Sequence, residues 1–243
     1  MYMISDTIIF DPKYNDPLDI NLISQYKKII FSDYQLSEGI YNAYENNIFN
    51  NFIWVGSYFN QKVNLLPHQL THLTFGWMFN QEVDNLPHLL THLTFGSCFN
   101  QEVNWVTPLL THLTSGFAFN KPNIYLPSGI KYLKLDCNNS YIIAQLSSNI
   151  EVLELDKEFN LELNDLPNLL KKIIFHEESD YDKELNCLPK FVEQIQLPYN
   201  YNKQIKNLPQ KLKKVICSTQ YKYIEDFNNL EVQTYTVPTN KLV

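Results

Sequence analysis

Residues 70–103, "LTHLTFGWMFNQEVDNLPHLLTHLTFGSCFNQEV", contain nearly the same phrase twice, once from Leu70 and again from Leu90. Aligning on the apolar residue that precedes each such phrase places Leu66, Leu86, Val106, Leu126, Leu146, Leu166, Leu188, Leu208 and Asn228 in register, with equal steps except a longer one from Leu166 to Leu188. From each anchor an apolar residue follows at four, seven and nine positions: Leu70, Leu73, Phe75; Leu90, Leu93, Phe95; Leu170, Ile173, Phe175; Leu212, Val215, Cys217. The last part of this LxxLxF pattern alternates, so Leu93 and Phe95 face inward while His92 and Thr94 face outward, as in a short strand with one buried face. A fixed period of about 20 residues built around LxxLxL marks a solenoid, in which each coil buries its apolar edge against the coils above and below. Repetition is how such a chain makes a core.

Fainter copies extend the array. "LISQYKKIIF" at 22–31 fits through Tyr26, Ile29 and Phe31, and "TIIF" at 7–10 reads as an earlier strand. The segment "FIWVG" at 52–56 reads as another strand followed by its turn, and Val232, Tyr235 and Val237 fall on the three apolar places of a final coil. The expectation is one leucine-rich-repeat-like solenoid domain over 1–243, of about twelve coils, with a parallel β-sheet on one face and irregular or short helical segments on the other. Its parts are irregular N-terminal coils at 1–51, near-identical repeats at 52–121, divergent repeats at 122–227 and a C-terminal cap at 228–243. Within 32–51 the spacing of Leu36, Ile40, Tyr41 and Tyr44 predicts a short helix. The longer step predicts two extra residues within 176–180, in a loop after which Tyr181 resumes the register.

Several ladders follow from the period. Gly56, Gly76, Gly96 and Gly116 each end a strand, where a turn of positive φ suits glycine, and Asp136, Asp156 and Pro198 take that place later. On this reading the turn at Pro198 must change type. The Asn of each Phe-Asn pair, at Asn60, Asn80, Asn100, Asn120 and Asn160, with Asn202 after a Tyr, is expected to turn inward and satisfy backbone groups of adjoining coils. Lys131, Glu151, Lys171, Glu193 and Lys213 alternate in sign at one place, which predicts an ion-pair ladder.

Composition narrows the function. A net charge of −7, pI near 5.3 and the absence of arginine argue against gripping a phosphate backbone, so no nucleic-acid partner is expected. No segment has the length and apolarity of a membrane span or a signal peptide's central region, so the expected setting is the cytoplasm, a host's if the source is viral. The four cysteines lack a CxxC pair, and no hydrolase, nucleotide-binding or metalloprotease motif occurs; no cofactor and no metal are expected. His72, His92 and His112 stack at one ladder place without a carboxylate beside them to orient a metal ligand. The uncharged outward row His72, Thr74, His92, Thr94, His112 and Thr114 is the candidate partner-binding face, with Trp54 and Tyr132 as aromatic anchors at its edges, because interface cores are depleted in charge.

The unit "LPxLLTHLTFGxxFNQEV" resembles the FNIP repeat, a leucine-rich-repeat relative found in social amoebae and giant DNA viruses, through Phe79-Asn80, Phe99-Asn100, Leu66-Pro67 and Leu86-Pro87. The resemblance implies no catalytic residues. In relatives that carry an F-box before the repeats it implies substrate recruitment to a ubiquitin ligase, but only about 20 residues precede the unit at 22–31, so any adaptor role here would lack its own F-box. The sequence thus points to a non-enzymatic protein-interaction scaffold with an unidentified protein partner, with a substrate adaptor or a self-assembling structural protein as the alternatives. It leaves the oligomeric state open.

Overall fold

A computed structural model describes residues 1–49, 51–103, 107–122 and 125–236. Anchor Val106 and the final Val237 lie outside the described residues. The chain forms two compact units, residues 1–129 and 130–243. Each is a stack of coils that contributes six short strands among the described residues.

In the first unit, β1 (Tyr2–Ile4) pairs antiparallel with β2 (Thr7–Phe10). Strands β3 (Lys28–Phe31), β4 (His72–Thr74), β5 (His92–Thr94) and β6 (His112–Ser115) then follow in parallel, each pairing with the next in sequence. The pairing is in register, so Ile8, Ile29, Leu73, Leu93 and Leu113 form one inward row and His72, His92 and His112 one outward row. Leu73, Leu93 and Leu113 are each 1% exposed, and Leu70, Leu90 and Leu110 are fully buried behind them. Beside this row the Phe of each Phe-Asn pair stacks on its copy in the next coil, 6.0 Å for Phe59–Phe79 and for Phe79–Phe99. Within a coil, Phe75 lies face to face with Phe79 at 3.6 Å.

Gly56 has the expected positive φ, but Gly76, Gly96 and Gly116 serve a different purpose. Among the described residues the only glycines of positive φ are Gly39 and Gly56; Gly76, Gly96 and Gly116 have ordinary φ. They are glycine because the coils touch there: a β-carbon at Gly96 would lie 2.0 Å from the Gly76 carbonyl oxygen, and one at Gly116 1.9 Å from that of Gly96. Asp136, Asp156 and Pro198 therefore need no positive φ, and no change of turn type is required at Pro198.

The expected strand at 52–55 does not join the sheet. β3 pairs directly with β4, so Ile29 stands beside Leu73 and the connection between them is more than twice as long as the one from Leu73 to Leu93. The surplus leaves the coil after Asp33 and returns at Val55, whose N–H, with that of Gly56, donates to the Asp33 carbonyl at 2.8 and 2.9 Å. Inside this excursion lies the predicted helix, α2 (Ile40–Asn46), while a shorter helix, α1 (Ile20–Ile23), precedes β3. Ile40 packs against Ile9 and Ile30, with Tyr34, Leu36, Tyr41, Tyr44 and Phe52 around them. In an alternating strand Ile9 and Ile30 point away from the core side of Ile8 and Ile29, so the excursion covers the outer face of β2 and β3.

The second unit holds β7 (Tyr132–Leu135), β8 (Val152–Leu155), β9 (Lys172–Phe175), β10 (Gln194–Gln196), β11 (Lys214–Ser218) and β12 (Glu231–Tyr235), all parallel and paired in order. A short helix, α3 (Ser140–Ile143), stands where earlier coils have Phe-Asn; its cap Asn139, 1% exposed, accepts the N–H groups of Tyr141 and Ile142. The turn at 177–178 repeats the one at 157–158, and the two extra residues fall between it and Tyr181, which stacks on Phe159 and on Tyr201, both at 6.2 Å. The final coil differs from expectation: Val232, not Tyr235, stands beside Val215, a shorter step than between the preceding coils. A single 3-10 turn, Ile224–Phe227, tightens that coil. Cys98, Cys137, Cys187 and Cys217 are all free thiols. Among the described residues no helix is long and apolar enough to cross a membrane.

Candidate partner-binding face

The outward residues of β4, β5 and β6 form one uncharged surface of the first unit. His72 stacks on His92 and His92 on His112, with ring centroids 4.0 Å apart in both pairs and planes within 13° of parallel. Beside each ring stands a threonine. The hydroxyls of Thr71, Thr91 and Thr111 lie 2.9 Å from Nδ1 of His72, His92 and His112. They donate in turn to the carbonyls of Lys27, Thr71 and Thr91 at 3.1–3.2 Å. Thr74, Thr94 and Thr114 form a second outward row, half-buried like the imidazoles.

Burial holds all three imidazoles below the usual histidine pKa. For His92 that effect, with its two neighbouring rings next in importance, takes the value down to about 4. The Lys28 ammonium also lowers His72, whereas Glu45 and Asp6 oppose it. Near neutral pH the row is therefore uncharged. Among the described residues no group of three or more His, Cys, Asp or Glu is arranged to hold a metal ion.

Trp54 is not on a named strand of the sheet. It lies in the excursion, bridged to Tyr34, about half exposed, with its ring edge-on to Trp77 at 5.2 Å. Tyr132 belongs to the second unit, where its hydroxyl donates to the Glu154 carboxylate. Around it the outward places are charged: Lys134 pairs with Glu154 at 3.1 Å, Lys171 with Glu151 at 2.6 Å and Lys213 with Glu193 at 2.8 Å. Lys131 reaches Glu151 at 3.9 Å.

The asparagines of the Phe-Asn pairs sit at the margin of the coil rather than inside it, and Asn120 and Asn202 are exposed. Asn60, Asn80 and Asn100 each accept, through Oδ1, the backbone N–H of the corresponding asparagine one coil on, at 2.9, 2.9 and 3.2 Å. Asn15 receives the N–H of Asn60 in the same way, and Asn160 that of Asp182.

Two features escaped the sequence reading. The Asp33 carboxylate accepts the N–H groups of Ser57 and Trp77, both at 2.7 Å, and so ties both limbs of the excursion to the following coil. In the second unit Asp136 is pressed against Asp156; burial, partly offset by Lys134, pushes its carboxyl up to about 8. Against burial, Lys134, the Lys157 N–H and then the same pairing hold Asp156 below its ordinary value. The one-repeat interval between these aspartates was a signal for the pair, but only burial reveals its titration.

Stacked coils, in-register parallel strands and an LxxLxF core make this a β-solenoid of leucine-rich-repeat type. The FNIP Repeat family model matches residues 59–98 in the first unit and 181–219 in the second. Among solved structures the chain is similar to CroV588, described as a novel circular LRR protein, a giant-virus product, at 26% identity and a TM-score of 0.61. The match covers 89% of this chain and 34% of that one, so this chain spans about a third of its relative's length. No curated protein matches the chain.

Proposed function

We propose that this protein is a non-enzymatic interaction scaffold and that a partner protein seats on the outer face of β4–β6. One observation carries the reading. The chain's own excursion covers the outer face of β2 and β3, whereas His72, Thr74, His92, Thr94, His112 and Thr114 on the next three strands remain partly exposed and uncharged. Short uncharged side chains lose little on desolvation, while the ion-paired outer face of the second unit would lose its hydration at greater cost. The leucine-rich-repeat fold shared with CroV588 supports a scaffold, since solenoids offer extended surfaces for binding.

The test is capture of the partner by a folded triple variant, Thr74→Lys, Thr94→Lys and Thr114→Lys, beside a Lys131→Ser, Lys171→Ser and Lys213→Ser control. Loss of capture in the first and retention in the second is the expected result. Capture by the Thr variant with loss in the Lys variant moves the site to the second unit.

A further inference from the structure

The three stacked imidazoles are held by a chain of donors and acceptors that fixes their chemistry. Each threonine hydroxyl has one proton, and it points at the carbonyl one coil back: Thr71 to Lys27, Thr91 to Thr71 and Thr111 to Thr91. The hydroxyl oxygen is then an acceptor toward the histidine, so the proton of the neutral ring sits on Nδ1. For His72 and His92 this leaves Nε2 as the basic nitrogen.

We infer that the His72–His92–His112 ladder is an acid-sensitive staple that holds coils β4–β6 together while its rings are neutral and drives them apart when they gain protons. The geometry requires it. Stacked 4.0 Å apart, neutral rings attract one another as aromatic faces, whereas two imidazolium ions at that distance repel strongly in a half-buried setting. The threonine chain cannot relieve this, because its acceptor already faces Nδ1–H and the added proton enters at Nε2. The rings are also tied to the coil stacking itself: the N–H groups of Thr91 and His92 donate to the Thr71 carbonyl, and those of Thr111 and His112 to the Thr91 carbonyl, the same two oxygens that receive the threonine hydroxyls.

The charged groups around the ladder set the order of events. Lys28 on β3 is ion-paired with Glu45 on α2 at 2.9 Å, and both, with Asp6 ahead of β2, act on His72. Lys28 opposes a charge on His72 while Glu45 and Asp6 favour one, and the central ring, His92, flanked by a ring on each side, takes its proton last. The inference does not depend on any partner, although loss of the ladder would also dismantle the face proposed above.

Hydrogen exchange of the full chain at about pH 7 and about pH 3.5, below the value to which burial and its neighbours take His92, corrected for intrinsic rates, tests it. Protection of the Thr91 and Thr111 amides is expected to fall about tenfold or more in acid, while the equivalent Glu151 and Lys171 amides of the second unit hold theirs. In a His72→Gln, His92→Gln, His112→Gln variant the acid loss disappears. Should that variant fail to fold, His92→Gln alone removes the central ring and must shrink the loss. Nitrogen NMR of the imidazoles reports the same event directly. Protonation of His92 with unchanged protection at Thr91 and Thr111, or an equal loss in the glutamine variant, overturns the staple.

Discussion

Gly96 lies so close against Gly76 that a β-carbon on it would sit 2.0 Å from the Gly76 carbonyl oxygen, with the Gly76 carbonyl carbon only slightly farther at 2.3 Å. Backbone cannot give way as a flexible side chain does, so Gly96→Ala must push neighbouring coils apart. We expect a loss of at least about 1–3 kcal/mol in unfolding free energy, the usual range for overpacking. Chemical denaturation measures it. At Gly39, where the nearest atom to an added β-carbon is a Phe52 ring carbon at 3.8 Å, the cost comes from φ of +83° instead. Gly39→Asn, which tolerates that conformation, should therefore recover stability relative to Gly39→Ala.

Asn80 is predicted to act only as an acceptor. Its Oδ1 receives the Asn100 N–H at 2.9 Å and the Gln101 side-chain amide at 3.0 Å. Asn80→Ala should lower stability by about 1 kcal/mol, and Asn80→Asp, which keeps the oxygen, by much less. Equal losses in thermal melts of the two variants would show that the amide nitrogen matters and the ladder is misread.

Asp33→Ala should release the excursion without unfolding the coils. Removing the carboxylate strands the Ser57 and Trp77 N–H groups, at a cost of about 1–3 kcal/mol. Limited proteolysis is expected to cut first within 34–54 in this variant, with β4–β6 remaining protected in exchange.

Asp136 gives the second unit a pH dependence of its own. Burial raises its folded-state pKa to about 8, so the native state holds a proton that the unfolded state releases near the ordinary carboxylate value. Its contribution is complete below the unfolded value and is lost as pH rises through the folded one, between about 4 and about 8. Asp136→Asn mimics the protonated form and should flatten that decline. Melting temperatures at the two ends of the window give the answer, and an unchanged slope would mean that Asp136 is ionised in the fold.

Much of this architecture could be read from the chain because the signal is repeated. Leu73, Leu93 and Leu113 recur in near-identical surroundings, so the inward row and the strand period reinforce one another. What was missed depends on partners a local pattern does not contain. Ile53 and Val55 imitate Leu73 and Phe75, yet a strand exists only if a neighbour accepts its hydrogen bonds, and β3 gives its free edge to β4. Glycines wanted for close approach look the same in sequence as glycines wanted for positive φ; only the position of the next coil separates Gly96 from Gly56. The final coil slipped from Tyr235 to Val232 because both are apolar and the 3-10 turn that chooses between them leaves no mark on the period. At the candidate face, the outward placement of the His and Thr rows follows from strand alternation. Their stacking, the threonine relay and the place of Trp54 beside Tyr34 and Trp77 required coordinates.

Whether the outer face of β4–β6 contacts a partner is decided most directly by photo-cross-linking in the source cell. A benzophenone side chain is placed at Thr94, in the centre of the face, and in a second protein at Glu82, which is exposed and lies outside the strands. The scaffold reading predicts one discrete cross-linked protein from position 94 that is absent from position 82 and is lost when Thr74 and Thr114 are replaced by Lys. The same adduct from position 82, with none from position 94, would contradict it.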